Sequence, residues 1–482
     1  MSIREPSSSL LSLGALCQST GGTVIATDQG AENRFCFSAV VVDSRAVQTG
    51  SLFVALPGET LDGHDFILDA LKNGASAILL HEKKYSADKA SFLALLTEFP
   101  DAVFIAVSRT LTALQKAAAA YVAQFPALLK VGITGSSGKT TTKEIIYKIF
   151  SRIYCGIRNK GNLNSEIGLP LSVFDIRREH EVGIFEMGTN RKDEIGELAS
   201  ILYPRYGVIT NIGTAHIGLL GSRDAIVKEK KLLFSHFTTN CAAFIPVDDY
   251  YADFLTKGIC GDIIRYGKPA DIGINGVVER GIDGTSFIFN GHSVLFPLPG
   301  KHNFRNMLAA VALARYLGIA SEKIAEGIES IQATFGRSQI FKGEIIVIQD
   351  CYNANPQSMC AMLDFCSKLK GGKIYILGDM LELGAETDAA HIKIIARALE
   401  SDITCLVAIG NAIAKAFHAL EAGNNTRNIK VVVFEAYDDD TIATVAEIVR
   451  NVIRKGDTVL IKGSRKLSLE RITPFLIGAA YV

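Results

Sequence analysis

The densest chemistry in the chain lies in Val131-Gly132-Ile133-Thr134-Gly135-Ser136-Ser137-Gly138-Lys139-Thr140-Thr141. Glycines let the backbone turn so that successive N–H groups converge on phosphate oxygens, and a helix starting near Lys139 would point its positive end at the same anion. Lys139 would then reach the β- and γ-phosphates, with the Thr140 hydroxyl on Mg²⁺. The general pattern G-x-x-x-x-G-K-[ST] wants glycine where this chain has Ile133; its glycines fall at 132, 135 and 138. An ordinary Gly/Ser turn would account for the glycines alone. Gly-Lys-Thr-Thr between an apolar strand candidate, Lys130–Thr134, and a helical pattern, Thr140–Phe150, favours nucleotide binding instead. A GTP-binding switch would also need Asn-Lys-x-Asp, and the nearest string, Asn159-Lys160-Gly161-Asn162, lacks the acid.

Downstream groups could complete such a site. Glu186 closes the strand candidate Val182–Phe185, where a carboxylate beside a phosphate loop is placed to hold the nucleotide's Mg²⁺. Elsewhere a strand-end Glu is commonly a solvated cap. His216, after the strand candidate Tyr206–Thr210, falls at the same sheet edge. An isolated histidine is usually a hydrogen-bonded loop residue, and that shared edge is what gives this one an active-site reading. Lys228, Lys230 and Lys231 share the next helix, and a solvated face accounts for most such lysines.

The elements that must carry these groups alternate short β-type runs with longer helical patterns, the signature of parallel sheets flanked by helices. The first section has strand candidates Ala39–Val42, Leu52–Leu56, Ala77–Leu80 and Val103–Val107. A helical stretch, Leu111–Ala123, leads into a second section that also contains Ala242–Ile245. Residues 263–298 read as a small antiparallel insert with turns at Asp283-Gly284 and Asn290-Gly291. A third section repeats the alternation, with strands at Ile345–Ile348, Lys373–Leu377, Leu406–Ile409, Val431–Phe434 and Thr458–Ile461. Its helices follow Pro356, Thr387 and Asp440, which reads as a second doubly wound domain.

Composition sets the outer bounds. At 482 residues the chain is long enough for two to four domains of ~100–200 residues each. Fifty Lys+Arg balance fifty Asp+Glu, which counts against a protein that grips nucleic acid through its backbone charge. Nine cysteines without a C-x-x-C pair fit free thiols in a reducing compartment, the cytoplasm. No apolar run approaches the ~18–20 residues of a membrane span. The stretch Leu10–Leu16 reads as a helix capped after Ser7–Ser9 rather than a signal peptide.

Gly132-Ile133-Thr134-Gly135 with Gly138-Lys139-Thr140-Thr141, then Glu186-Met187-Gly188, Asn211-Ile212-Gly213 with Ala215-His216, and His302-Asn303 with Asn306, in that order, resemble the Mur ligases. These are ATP-dependent, amide-forming enzymes of peptidoglycan synthesis. Ile133 is the family's own form of the loop. Lys160–Gly168, Asp350-Cys351-Tyr352-Asn353-Ala354-Asn355-Pro356 and Leu377-Gly378-Asp379-Met380-Leu381-Glu382-Leu383-Gly384 are similar to the branch that joins D-Ala-D-Ala to UDP-MurNAc-tripeptide. Asp43-Ser44-Arg45, Gly50–Glu59 and Asp62-Gly63-His64 look like the family's uridine-nucleotide section.

The resemblance implies an α/β chain of three domains. These are an N-terminal UDP-sugar-binding α/β domain (1–107), a central P-loop ATPase-like parallel-sheet domain (108–334) and a C-terminal Rossmann-like domain (335–482). It implies ATP with two Mg²⁺ ions. Gly135, Ser136, Ser137, Gly138, Lys139, Thr140 and Thr141 would hold the phosphates. Asn303 and Asn306 would lie around the adenine, and Arg337 and Asp350 would be further ATP contacts. Thr140, Glu186, His216 and Lys230, the last as a carbamate, would hold metal; Lys139, Glu186, His216 and Lys230 are the implied catalytic set. Ser44, Arg45 and His64 would bind the UDP-sugar, with Asn162, Asn164, Asn353 and Asn355 as further substrate contacts. Gln349 stands where the family usually has the first acid of an Asp-Asp pair. A monomer without nucleic-acid or membrane partners is expected. The alternatives are a sister Mur enzyme, a folylpolyglutamate synthase-like ligase and a catalytically silent nucleotide-binding scaffold.

Overall fold

The computed structural model describes residues 9–25, 35, 37–421 and 429–478. Among them the chain forms four sheets. The first contains β1 (Thr23–Ile25), β2 (Ala39–Val41), β3 (Ser51–Val54), β4 (Ala75–His81) and β5 (Val103–Val107), in the order β1-β5-β4-β3-β2. Its strands run parallel except β1, which pairs antiparallel with β5. Phe53, Ile78, Leu80 and Phe104 are fully buried in its core, which is why these strands read as nearly continuous apolar runs.

The second sheet holds β6 (Leu129–Thr134), β7 (Gly156–Arg158), β8 (Val182–Glu186), β9 (Tyr206–Ile209), β10 (Ala242–Pro246) and β11 (Asp262–Tyr266), in the order β11-β10-β9-β6-β8-β7. The antiparallel insert is smaller than the sequence predicts. Asp262–Tyr266 pairs parallel with β10, so only β12 (Ile274–Glu279), β13 (Thr285–Phe289) and β14 (His292–Phe296) are antiparallel. The two-residue turn joining β13 to β14 is Asn290-Gly291. Both residues have positive φ, 45° and 90°, matching the twist a tight hairpin needs.

The fourth sheet contains β15 (Gln339–Lys342), β16 (Ile346–Gln349), β17 (Lys373–Gly378), β18 (Cys405–Ile409), β19 (Lys430–Phe434) and β20 (Thr458–Lys462), in the order β15-β16-β20-β17-β18-β19. All its pairings are parallel except β15 with β16. Short β1, β7 and β15 and the helix Asn411–Glu421 escape the sequence reading. The three strands have only three or four residues, and that length carries little periodicity.

The chain divides into two compact bodies. One comprises residues 1–132, 155–187 and 194–205; the other comprises 133–154, 188–193 and 206–482. The division passes along β6, whose last two residues open the phosphate loop in the second body. The first helix, Leu13–Thr20, is capped by Ser12, which accepts from the Ala15 amide. The expected cap at Ser7–Ser9 is therefore displaced. Ser7 and Ser8 lie outside the described residues, and the Ser9 hydroxyl instead donates to Leu11 O at 2.6 Å and accepts from the Phe37 amide at 3.1 Å. No described helix is long and apolar enough to cross a membrane.

Candidate active site

The helix Lys139–Phe150 starts at Gly138, whose φ of 77° and ψ of −1° put it in the left-handed region. Thr142, Ile145, Ile146, Ile149 and Phe150 are buried, the three-and-four spacing of one helix face. That anchored face fixes the helix N-terminus where the loop delivers it. The loop is also crowded. A Cβ on Gly138 would lie 2.3 Å from Asn306 Oδ1, and one on Gly135 would lie 1.8 Å from Thr210 Oγ1. Glycine is required at both positions because the walls of the cradle are already in contact.

The wall against Gly138 is Asn306, on the helix Lys301–Tyr316, and the other comes from the segment after β9. The Ser136 amide donates to Asn211 O at 3.0 Å, and the Ser137 amide to Asn211 Oδ1 at 3.1 Å. Thr210 Oγ1 donates to Ser137 O at 2.6 Å, and Asn211 Nδ2 to the same oxygen at 2.9 Å. Ser136 Oγ accepts from the Gly213 amide at 2.8 Å. Lys139 Nζ donates to Gly135 O at 2.8 Å, folding back over the loop. Thr141 is buried, and Thr140 is the second residue of the helix.

Lys230 lies on the helix Arg223–Lys231 and is 1% exposed. Burial pulls its amine down to about 7, the Lys139 charge pushes the same way, and Glu229 opposes them. Lys228, its neighbour in the sequence reading, is exposed. Of these two lysines, Lys230 is the one that combines burial with a substantial share of free amine near pH 7, the form that adds to CO₂.

His216 begins the short helix Ile217–Leu220 with φ 62°. Its Nδ1 lies 2.7 Å from Glu382 Oε2, a close ion-pair contact whose line is bent away from a straight N–H···O bond. Asn303 is buried, donating to Pro299 O at 2.8 Å and Ser338 Oγ at 3.2 Å. Asn306 packs on Gly138, so it borders the phosphate cradle. Arg337 stacks 4.2 Å above the Tyr352 ring.

Asp350 follows β16. Its Oδ1 accepts from the Ser338 amide at 2.8 Å, and its Oδ2 lies 2.5 Å from Lys462 Nζ. Gln349 ends β16 and donates to Gln339 Oε1 at 3.2 Å on the neighbouring strand. An acid there would face another acceptor instead. Asn353 is exposed, and its carbonyl accepts from Lys462 at 3.3 Å. Asn355 caps the helix Pro356–Cys366 through a reciprocal pair with Ser358, and its Nδ2 donates to Ser136 O at 3.4 Å. Its side chain is thus spent on the helix and the phosphate loop.

The remaining site residues belong to the first body. Glu186 ends β8 and is 2% exposed. Its Oε1 accepts from Asn164 Nδ2 at 2.7 Å, and Asn159 brackets its backbone at 3.0 Å on both the amide and the carbonyl. Asn164 therefore holds the carboxylate. Asn162 is exposed in the same loop. Ser44 is buried and its carbonyl accepts from Asn73 Nδ2. Arg45 is exposed and forks onto Asp43 at 2.9 and 2.7 Å. The His64 side chain is 5% exposed, with Nδ1 2.6 Å from Asp62 and Nε2 accepting from the His81 amide at 2.9 Å. That places His64 as a post bracing the Asp62 turn against β4.

Sequence reasoning passed over Asn211, Lys462 and the partner role of Glu382. A lysine closing the apolar strand Thr458–Lys462 was the available signal for Lys462, since a buried strand end tolerates an ammonium only with an acid opposite.

Within the second body, a glycine cradle at a helix N-terminus and a buried lysine of lowered pKa define a class: phosphate-loop enzymes that use a nucleoside triphosphate. Three family signatures then match in order, the Mur ligase family catalytic domain over residues 37–122, the Mur ligase middle domain over 133–314 and the Mur ligase glutamate ligase domain over 336–465. The chain belongs to the Mur ligase family. It is 41% identical over 468 residues to the UDP-N-acetylmuramoyl-tripeptide–D-alanyl-D-alanine ligase of Treponema pallidum, covering 97% of this chain and 99% of that protein. It is 32% identical to the enzyme of the same name from Bacillus subtilis, covering 91% and 93%. Crystal structure I of MurF from Acinetobacter baumannii superposes with a TM-score of 0.83 at 27% identity, covering 96% of this chain and 98% of that one. MurF ligase from Thermotoga maritima in complex with ADP gives 0.74 at 26%, covering 91% and 97%.

Proposed function

We propose that this protein uses ATP to join D-Ala-D-Ala to the C-terminal carboxylate of UDP-MurNAc-tripeptide, giving UDP-MurNAc-pentapeptide, ADP and phosphate in the cytoplasm. The observation that carries the reading is the crowded glycine cradle opening onto the N-terminus of Lys139–Phe150, in a chain alike over nearly its whole length to relatives that bear this activity's name. A carboxylate is a poor acyl donor because its leaving group would be oxide. Transfer of the γ-phosphoryl group to that carboxylate makes an acyl phosphate, the dipeptide amine attacks the carbonyl, and phosphate leaves as the amide forms. No protein nucleophile is needed. The backbone amides at the helix start and Lys139 neutralise charge on the transferred group.

The residues present fit Mg²⁺, which favours hard oxygen donors and shares its shell with phosphate and water. The Thr140 hydroxyl and the Glu186 carboxylate, fixed by Asn164, are such donors, and a Lys230 carbamate would add another; His216 is the remaining candidate. Bound there, the metal would supply charge neutralisation to the phosphoryl oxygens. Segments 1–107, 108–334 and 335–482 are the corresponding uridine, ATP and C-terminal domains. Ser44, Arg45 and His64 mark the uridine side.

The test is phosphate release from MgATP with UDP-MurNAc-tripeptide, run with and without D-Ala-D-Ala. Release that needs both substrates, with a product heavier by one dipeptide residue mass, is expected. Release only with a shorter UDP-MurNAc acceptor and a single amino acid would move the chain to a sister step. Bound ATP with no release would reduce it to a nucleotide-binding scaffold.

A further inference from the structure

The proposed reaction gives the motif Leu377–Gly384 no role, yet its loop meets the segment that carries His216. Four observations meet there. Glu382 Oε2 lies 2.7 Å from His216 Nδ1, although the glutamate is itself about half exposed. Glu382 O accepts from the Gly218 amide at 3.0 Å. Gly218 and Gly384 approach so closely that a Cβ on either would come within 2.5–2.7 Å of the other's backbone. His216 and Glu382 also both take left-handed backbone conformations, φ 62° and 64°. Such conformations cost free energy in non-glycine residues and persist where surrounding structure over-determines them.

The Glu382 loop is braced from behind. The Met380 amide donates to Nε2 of the fully buried His391 at 2.9 Å, and the Leu381 amide donates to Ser464 Oγ at 2.9 Å. His391 is in turn fixed by Thr387 O at 2.7 Å. The carboxylate is therefore presented to His216 by a rigid frame rather than by a loose surface side chain.

We propose that Glu382 is a positioning residue for His216, holding Nδ1 so that Nε2 is the nitrogen turned to the reaction. The general ground is that a working histidine has its ring and tautomer set by what the other nitrogen meets, most often a carboxylate or a carbonyl. The Gly218–Gly384 approach is the second half of the device: without side chains there, the two loops can close to the distance the pair needs. The proposal rests on the ligase reading for what His216 is positioned to do.

The experiment compares the wild type with Glu382→Gln and Gly218→Ala by two readouts. In protein carrying ¹⁵N-histidine, with His216 assigned by His216→Gln, the wild-type ring should report the Nδ1–H tautomer. Both variants should move it toward the mixed tautomer. In the phosphate-release assay kcat should fall about 10- to 100-fold while KM for ATP changes less than about twofold, a split that general loosening of the fold would not give. Glu382→Asp should recover part of the tautomer signature. Unchanged ring shifts in Glu382→Gln, or an unchanged kcat with altered shifts, would overturn the proposal. If the wild type itself releases no phosphate, the function reading falls, and the ring shifts still decide whether Glu382 orients His216.

Discussion

Lys230 and Lys462 are equally hidden, 1% and 2% exposed, and the protein treats them in opposite ways. Lys462 closes β20 and meets Asp350 at 2.5 Å, with the carbonyls of Asp350 and Asn353 at 3.2 and 3.3 Å. Burial pulls the Lys230 amine down to about 7, and the Lys139 charge adds to the same effect. The same side chain at the same depth is held in an ion pair in one place and is an amine of lowered pKa in the other. Burial disfavours the ammonium in both places; at Lys462 an opposing carboxylate offsets it, and at Lys230 a like charge adds to it.

Removing the like charge that adds to this contrast should have the largest effect. Lys139→Met is expected to lower phosphate release by about 10³-fold or more, as loss of a phosphate-neutralising cation does. Titration of Lys230 in that variant, followed by ¹³C-labelled lysine NMR, should shift upward because the like charge is gone. A Lys230 titration that stayed put would break the contrast at its source.

Next comes the clamp. Lys462→Met leaves the Asp350 carboxylate, only 14% exposed, without its partner, and should cost about 3–5 kcal/mol of unfolding free energy by denaturant titration. Adding Asp350→Asn in the same chain should recover most of that loss, since no buried charge then stands alone. Recovery by less than a third would mean that packing, not the ion pair, holds this corner.

The nucleophile follows. With ¹³C-bicarbonate, a carbamate signal is expected that vanishes in Lys230→Arg, together with a fall in kcat of about 100-fold. A signal surviving that substitution would break the comparison by placing the reactive amine elsewhere. The pH dependence has a definite sign. The folded value near 7 lies below the unfolded value of ~10.4, so between them the unfolded chain binds the extra proton and stability rises with pH. Below 7 the amine protonates and the carbamate signal should fade.

The smallest effect belongs to His302, next to the buried Asn303. Burial holds its imidazole down to about 4, with Asp350 opposing and Lys462 assisting. From ~6.5 down to 4 the unfolded chain takes up a proton that the folded one refuses, so stability is lost as pH falls through that window. At pH 5 the loss is about 2 kcal/mol. Thermal melts at pH 7 and pH 5 should show a smaller difference in His302→Gln than in the wild type.

Much of the fold was legible before any coordinates. Val103–Val107 appears at its predicted bounds, and β17, β18 and β20 appear within one residue of theirs, because strands covered on both faces are continuous apolar runs. The phosphate loop was legible for a different reason: close backbone approach admits only glycine, and Gly135 and Gly138 sit where a Cβ would collide. Asp262–Tyr266 was misassigned to the antiparallel insert because exposure alternates poorly along an edge strand, where pattern says little about the partner's direction. The site asparagines were legible as a set and not in their duties. Asn355 caps a helix, Asn164 holds Glu186 and Asn306 walls the cradle, since one amide side chain suits all three tasks equally well.

By itself the sequence determined what local rules control. These are the alternation that builds parallel sheets, the glycines of the phosphate loop and the lysine and threonine that follow them, because backbone sterics and side-chain chemistry act over a few residues. Only the tertiary structure decided which lysine is neutral, which acid faces His216 and which cation answers Asp350. Those outcomes depend on distances between segments more than a hundred residues apart, such as Asp350 to Lys462 and His216 to Glu382. Charge, burial and hydrogen-bond geometry act through space, and no spacing along the chain encodes them.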